Sequence, residues 1–503
     1  MTPDVAAFLA DPATHGGVPV RVVETHGALV VLAGSRALKA KKAVAFAYMD
    51  FSTLARRRGF CFRELAVNRR TAPELYLGVR AVLQGPDGLR LGPLLQEDPG
   101  SDGEAVEWLV EMRRFDEATL FDRMAVEGCL EAPLLEDVAR QVARFHHAAE
   151  AMPGGGAAAV RATAALNAGE LRALLPGAAT EALVAATDES VERLAPLLDR
   201  RAAEGHVRRC HGDLHLRNIC LFEGRPTLFD AIEFNDDFAV IDTLYDVAFL
   251  LMDLLHRDLA GLASRAFNAW LAESGEGEGL AALPLFLSMR AAVRAHVGAR
   301  AGEMAEAERY LALAGRFLAP AAPRLIAIGG LSGTGKTTLA RALAPRLGVP
   351  PGAAVLRSDV IRKQRFGLAE TERAPPDAYA PEVTARVFAT IAAQARLYLA
   401  AGVPVVADAV YGEPAQRRAI AAVAAAAKVP FLGLWLTADP EACKRRVAER
   451  QGDASDATPA VVDAQARHVR PPRDWLAIDA GSGPAAALAA ALIHVNATAG
   501  PQR

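Results

Sequence analysis

The spacing of apolar residues changes several times along the chain, and each change marks an element. Between residues 20 and 40, apolar and polar positions alternate through VRVVETHGALVVLAG and SRALKAKKAV, with Gly34-Ser35 as a turn, which predicts strands. From Met49, MDFSTLARRRGFCFRELAVNRR returns its apolar residues at helical spacing, with Asp50 or Ser52 placed as an N-cap. LRLGPLLQ and AVEWLVEMRRF have strand character again. The stretch from about Phe121 to Glu204 reads as helical, broken at AMPGGG and LLPGAA. A short apolar strand, PTLFDAIEF, precedes a helical region reaching about Arg316, and LAPAAP (Leu318–Pro323) has the composition of a linker. Beyond it, the near-continuous apolar runs RLIAIGG, AAVLRSD, VPVVADA and PFLGLWLTA alternate with helices, the pattern of a parallel sheet. Alanine runs at 419–427 and 485–491 read as helix surfaces packed on that sheet.

Bulk properties narrow the class. A chain of 503 residues is too long for one ordinary core, so two or three domains are expected. Its net charge of -3 provides no general basic field for nucleic acid. The five cysteines are scattered without a C-x-x-C pair, which argues against a disulfide framework or zinc site and fits a reducing cytoplasm. The N-terminus lacks the charged start and apolar core of a signal peptide. VAFLLMDLL, interrupted by Asp253, is far short of a membrane span. The expectation is a cytoplasmic protein with a small-molecule partner, and neither nucleic acid nor a membrane.

Two stretches carry phosphate chemistry. Gly330-Leu-Ser332-Gly333-Thr334-Gly335-Lys336-Thr337, followed by Thr338, matches G-x-x-x-x-G-K-[ST] between an apolar strand and a helix. Its glycines let backbone N–H groups turn around a phosphate, and the helix N-terminus adds positive potential. Lys336 is placed to reach β- and γ-oxygens, and the Thr337 hydroxyl to bind Mg2+. Asp408, ending VPVVAD, is placed as a Walker-B-type carboxylate that would hold that metal through water. Asp359 ends AAVLRSD, and CKRRVAERQGDASDAT places Arg446 and Arg450 at i, i+4 spacing on one helical face. This order resembles the small-molecule kinase branch of P-loop proteins, similar to gluconate kinases and zeta-toxin-like phosphotransferases, over about residues 323–495. The resemblance implies that Asp359 and Arg362 meet the acceptor, and that Arg446 and Arg450 are lid arginines over the transferring phosphate.

The second stretch is HGDLHLRN. In a kinase-type loop of this spacing, Asp213 accepts the acceptor hydroxyl's proton and Asn218 binds Mg2+. Asp230, after a short strand and turn, is the second metal-binding aspartate. His211, Gly212, Asp213 and Asn218 together resemble the aminoglycoside phosphotransferase and choline kinase superfamily. That resemblance implies that Asp242 and Asp246 brace the loop, that a strand lysine pairs with a helix glutamate, and that VEMRRF (Val110–Phe115) is the hinge strand under the adenine. Lys39 and Lys41 share one strand face and Lys42 points away, so either of the first two can meet Glu64. The family's glycine-rich cover, G-x-G-x-x-G, is missing here.

As a whole the chain resembles bacterial two-domain proteins that fuse an aminoglycoside phosphotransferase-like domain to a P-loop small-molecule kinase, or AAA-family ATPase, domain. The implied fold is α/β and α+β. A protein-kinase-like bilobal domain covers 1–318, with a small lobe at about 20–115 and a helical large lobe at about 116–318; a linker at 319–323 and a P-loop NTPase parallel-sheet α/β domain at 324–503 follow. The implied activity is ATP-dependent, Mg2+-assisted phosphotransfer to a small-molecule hydroxyl (sugar, amino sugar or nucleoside-like), with two nucleotide sites. The alternative is a ligand-sensing pseudokinase domain regulating one active P-loop kinase.

Overall fold

The computed structural model describes residues 2–25, 27–46, 49–450 and 452–497. Both outermost ends of the expected domains, 1 and 498–503, lie outside the described residues, as does Gln451 in the lid stretch. Contacts group the chain into two compact units, Met1–Ala162 with Leu198–Asp253, and Thr163–Leu197 with Leu254–Arg503. The expected linker at 319–323 has no regular structure, yet the division does not fall there. Helices upstream of it group with the P-loop sheet, and a pair of hydrogen bonds shows why. From the helix Ala260–Ser274, Asn268 Nδ2 donates to Ala353 O (3.1 Å) and Oδ1 accepts from Val355 N (2.7 Å), so a side chain completes the edge of a sheet strand.

In the first unit, strands β1 (Val20–Glu24), β2 (Ala28–Ala33), β3 (Arg36–Lys41), β7 (Gly88–Leu95) and β8 (Ala105–Arg113) fall where the alternation predicts strands, and β4 (Ala45–Phe46), β5 (Met49–Asp50) and β6 (Tyr76–Gly85) are added to them. Six of them make an antiparallel sheet in the order β1-β2-β3-β8-β6-β7. One face packs Leu29, Val31, Leu38 and Ala40 on Val5 and Leu9 of the helix Pro3–Ala10. The other packs Val79, Trp108 and Val110 on Cys61, Phe62 and Leu65 of the helix Leu54–Asn68. Because Leu38 and Ala40 point to the first face, Lys39 and Lys41 point to the second, toward that helix. The helix is capped by Thr53, whose side chain accepts from Arg56 N, rather than by Asp50 or Ser52; Asp50 Oδ1 instead accepts from Ser52 N and Oγ. Its basic LARRRG stretch is neutralised locally, Arg57 by buried Glu107 (2.7 Å) and Arg58 by Asp98 and Asp102. β8 lies between β3 and β6, so Val110–Arg113 sit inside the sheet, and only Arg114 and Phe115 of the expected hinge strand leave it.

Four short strands follow, β9 (Val207–Arg209), β10 (Ile219–Phe222), β11 (Arg225–Leu228) and β12 (Val240–Asp242), with β9 pairing β12 and β10 pairing β11. The β10–β11 turn places Glu223 (φ 49°) and Gly224 (φ 78°) both in the left-handed region, the tight turn that matches strand twist. The register Ile219↔Leu228 then sets Asn218 opposite Phe229.

In the second unit, β13 (Leu325–Gly330), β14 (Ala354–Arg357), β15 (Val405–Asp408), β16 (Phe431–Thr437) and β17 (Leu476–Asp479) form an all-parallel sheet in the order β14-β15-β13-β16-β17. The register Ile328↔Asp408 and Arg357↔Asp408 sets Asp408 beside both the start of the glycine loop and Arg357, at the carboxyl ends where such sheets bind ligands. β14 ends at Arg357, so Asp359 stands in the first turn of the helix Ser358–Gln364, not at a strand end. Both alanine runs lie in helices, Pro414–Ala427 and Pro484–Ala497. Among the described residues one stretch, Glu278–Arg300, passes for a membrane helix by length and composition; 67% of its tested window is buried in the structure, as in a core helix.

Asp242 does not brace the catalytic loop. Its carboxylate takes both Nε (2.7 Å) and Nη2 (2.8 Å) of Arg201, which is 2% exposed, and caps Leu244 N. Breaking a buried pair from one side strands the other charge, so Asp242→Ala should lower the unfolding free energy by about 3–5 kcal/mol in denaturant titrations. An unchanged midpoint would refute this role.

Candidate functional site

The glycine of HGD is required by crowding. Gly212 has φ +84°, and a Cβ there would stand 2.7 Å from Phe238 O. Asp246 accepts from His211 N (3.1 Å), Gly212 N (2.8 Å) and His146 Nε2 (2.9 Å), and Asp253 accepts from Leu216 N (3.0 Å). His146, Cys210 and Asp246 come within 4.8 Å of one another, but those three N–H donors already occupy the carboxylate. The loop is tied to the next segment by Phe229 N→Asn218 O (3.0 Å), His211 Nε2 to Phe229 O (3.0 Å) and Ile232 N→His211 O (2.9 Å). Burial keeps His211 below its ordinary pKa, with Asp246 opposing, so a neutral ring donating to Phe229 O fits.

Those ties gather Asp213, Asn218 and Asp230. Asn218 Nδ2 donates to Asp213 O (2.9 Å) and Oδ2 (2.8 Å), leaving Asn218 Oδ1 and Asp213 Oδ1 without a partner among the described residues. Asp230 is left-handed (φ 60°), and its carboxylate meets Lys39 Nζ at 2.6 Å. Lys39 also meets Glu64 Oε1 (2.9 Å), and Lys41 meets Glu64 Oε2 (2.6 Å) and Glu233. Burial alone would raise the Asp230 carboxyl, but Lys39 holds it below its ordinary value. Burial likewise opposes the Lys39 charge, and Asp230, Glu64 and Glu233 together outweigh it and raise its pKa. Glu233 is pushed up, by burial and by Glu64. Two ammonium groups face three carboxylates in this cluster, and the Asp230 oxygen that Lys39 does not hold, like Asn218 Oδ1, is a hard oxygen of the kind that suits a divalent cation.

In the second unit the glycine loop opens the helix Lys336–Leu343. Gly333 has φ +84°, and a Cβ there would lie 2.5 Å from Cys443 O, so the loop can pass under the neighbouring helix only as glycine. Thr337 Oγ1 donates to Asp408 Oδ2 (2.6 Å), a hydroxyl and carboxylate side by side that suit a hard cation. Arg357 pairs with Asp453 (2.8 Å) and lies 3.8 Å from Asp408. Lys336 Nζ donates to Leu331 O (2.9 Å); burial lowers its pKa, partly opposed by Asp408 and Asp359. Burial and the charge of Asp408 push the Asp359 carboxyl above its ordinary value. A cavity of about 800 Å³ is lined by Lys336, Thr337, Asp408, Asp359, Arg362 and Arg450, among others.

Comparison with known proteins agrees with this geometry. Residues 92–286 match the phosphotransferase enzyme family and residues 325–472 an AAA domain family. An uncharacterized protein of Mycobacterium tuberculosis (strain ATCC 25618 / H37Rv) is 31% identical over 465 residues, 89% of each chain, and so is one from Mycobacterium bovis. The chain belongs to their family. In this chain a phosphotransferase-enzyme-family domain stands ahead of an AAA-family domain. Among solved structures, a choline/ethanolamine kinase family protein from Mesorhizobium loti is 16% identical, covering 63% of this chain and 99% of its own, with a TM-score of 0.36. A gluconokinase from Sinorhizobium meliloti 1021 is 20% identical, covering 36% and 99%, with a TM-score of 0.25.

In this member of the family, Ser332, Gly333, Gly335 and Thr338 also line the P-loop cavity. Gly330 ends β13 (φ 138°) and the Thr334 hydroxyl bonds back to Leu331 O, so both support the loop from behind. Arg446 and Arg450 do not share a helical face: the helix Pro440–Ala448 ends first, with Glu449 as its cap. Arg446 reaches Gly333 O (3.4 Å) and Ala480 O (3.5 Å) outside the cavity lining, whereas Arg450 lines the cavity beside Asp453 (3.5 Å). Sequence reasoning passed over Glu233, Arg357, Asp453 and Gln465. Glu233 stands three residues after Asp230, and Asp453 lies in the acidic GDASDAT, the only local signals for either. Gln465 Oε1 accepts from Ser332 N (2.8 Å) from a separate helix, which no local pattern announces.

The two strand lysines have different surroundings. Lys41 is 1% exposed between Glu64 and Glu233, with Phe51 beneath it, while the Lys39 side chain is 17% exposed beside Asp230. Lys41→Met should therefore cost about 3–5 kcal/mol of stability in the first unit, and Lys39→Met should lower nucleotide affinity more than stability. Equal losses of both properties in the two variants, read by thermal unfolding and nucleotide titration, would contradict that division.

Proposed function

We propose that this protein is an ATP-dependent phosphotransferase with a nucleotide site in each unit, acting on hydroxyl groups of small molecules of the sugar, amino sugar or nucleoside type. The observation that carries the reading is the P-loop cavity, where the Lys336–Thr337–Asp408 set and the Asp359 carboxyl, raised above its ordinary value, line one space. There Lys336 and the loop amides would hold the phosphates, Arg450 would face them, and Asp359 would take the acceptor's proton. In the first unit Lys39 would hold phosphate and Asp213 would act as base, its free Oδ1 being the atom that accepts the proton. Mg2+ would be held by Asn218 and Asp230 in one site and by Thr337 and Asp408 in the other, and supplies charge neutralisation at the phosphate oxygens. The cysteines, all free, support a cytoplasmic location.

A second reading of the first unit has one observation behind it. The connection from β1 to β2, where a glycine-rich cover would lie over the phosphates, is only residues 25–27. On this reading the unit binds its ligand without transferring phosphate and regulates the P-loop unit.

Turnover separates the readings. With ATP, Mg2+ and a panel of sugars, amino sugars and nucleosides, Asp213→Ala should remove about 10²–10⁴-fold of one activity, and Lys336→Ala about 10²-fold or more of another. If Asp213→Ala leaves every activity intact, the first unit is a sensor; if Lys336→Ala does so, the P-loop is not a catalytic site. The raised Asp359 carboxyl has a pH consequence. Its basic form is present above its pKa, so P-loop activity, measured in the Asp213→Ala protein, should fall on acidification at a pH above the ordinary aspartate range. A kcat/KM profile that stays flat down to that range would exclude Asp359 as the base.

A further inference from the structure

We propose that the acceptor used by the P-loop unit carries an anionic group, a carboxylate or a phosphate, beside the hydroxyl that receives the phosphoryl group. This rests on the phosphotransferase reading of the same cavity. The observation behind it is Arg362, which lines the cavity and is 6% exposed. Its Nη1 donates to Ala378 O (2.6 Å) and Thr384 Oγ1 (3.3 Å), and the Tyr379 ring stacks against the guanidinium at 4.7 Å. Nε is buried with no hydrogen-bond partner, and Nη2 has none among the described residues. The edge left over is the Nε/Nη2 fork, whose two parallel N–H groups match the two oxygens of a carboxylate or phosphate.

A buried guanidinium without an acid is an unfavourable state, which native structures retain where a ligand completes it. The nearby acids are already engaged. Asp456 receives Lys363 (3.1 Å), the Tyr379 hydroxyl (2.8 Å) and Ala374 N (3.0 Å). Asp359 acts on Arg362 through space but forms no ion pair with it among the described residues. Other cavity cations differ: Arg357 has Asp453 and Asp408, and Arg450 has Asp453. Arg373, exposed on the cavity lining, has no acid partner among the described residues, and neither has Lys336 of the glycine loop, so both add uncompensated positive charge.

Arg362 follows Asp359 by three residues on one helix, so the anion site and the base stand one turn apart. An acceptor held there by its anion offers its hydroxyl to Asp359. The hydroxyl oxygen forms a bond to the γ-phosphorus, the bond from that phosphorus to the bridging oxygen breaks, its electron pair leaves with ADP, and the proton goes to Asp359. A neutral sugar would leave the Arg362 fork unpaired; a sugar acid, hydroxy acid or phosphorylated alcohol would fill it.

The test is equilibrium titration of the full chain, loaded with the non-hydrolysable ATP analogue AMPPNP and Mg2+, with inorganic phosphate, D-glycerate and glycerol. We expect at least one of the two anions to bind saturably and glycerol not to bind; which anion binds separates phosphate from carboxylate. Arg362→Gln should weaken that binding about ten- to hundredfold while leaving AMPPNP affinity unchanged, and Arg362→Lys, which keeps charge but not the fork, should fall between. Should Arg362→Gln not fold, Arg373→Gln at the exposed position should still weaken the anion measurably. Glycerol binding as well as D-glycerate, no anion binding, or equal anion binding by wild type and a folded Arg362→Gln would each overturn the proposal. Failure of the underlying reading looks different: AMPPNP itself would then fail to bind, or would bind Lys336→Ala as tightly as wild type.

Discussion

Clustered carboxylates must be neutralised where water is scarce, and both sites of this protein are arranged around that constraint. An isolated buried acid would take up a proton and cease to be a metal ligand. Lys39 pairs with the partly exposed Asp230, and Arg357 and the Thr337 hydroxyl flank the buried Asp408. Much of the surrounding fold serves those pairings. β3 aims two lysines at one face, the helix Leu54–Asn68 supplies Glu64 to both, and the tight β10–β11 turn returns the chain so that Asp230 arrives beside them. The groups are therefore held in place before any nucleotide arrives, so little reorganisation is left for the moment of reaction.

The two units solve the phosphate problem with different parts. In the first, charge is supplied by side chains on separate elements, and the backbone's task is to bring a strand, a helix and a loop to one point. In the second, backbone amides at a helix start would face the phosphates, and the loop is glycine where it passes under Cys443 O. The first arrangement depends on long-range packing; the second depends mainly on eight consecutive residues and the strand before them.

That difference explains what the sequence made legible. G-x-x-x-x-G-K-T, the buried parallel strands and HGDLHLRN are local patterns, and each was readable because its meaning lies within a few residues. The face of Lys39 and Lys41 was readable too, from the period of a strand. The choice between them was not, because it depends on Asp230 and Glu233, nearly two hundred residues away in sequence. Glu107 closes an acidic stretch whose composition gives no sign of burial, yet it is fully buried against Arg57, a partner 50 residues away. Arg446 and Arg450 were separated by a helix end that spacing alone does not reveal, since nothing in RVAERQGD forbids one more turn. Asp242 and Asp246 look alike as a pair in IDTLYD; only the position of Arg201 assigns the first to a structural ion pair and leaves the second to the loop.

The contrast between satisfied and unsatisfied polar groups bears on specificity. In the P-loop cavity Ser332 N–H already has an acceptor in Gln465 Oε1, so a phosphate oxygen reaching that amide exchanges one hydrogen bond for another. Such an exchange gains little in itself, and on the proposed reading affinity for a nucleotide would come from charge, from Lys336 and a bound metal. The Arg362 fork has no partner to exchange. A ligand atom arriving there would gain a full charge-assisted bond without displacing another, so on the proposed reading discrimination among acceptors would be strongest at that edge. Nucleotide binding and acceptor choice would then rest on different kinds of polar group within one cavity.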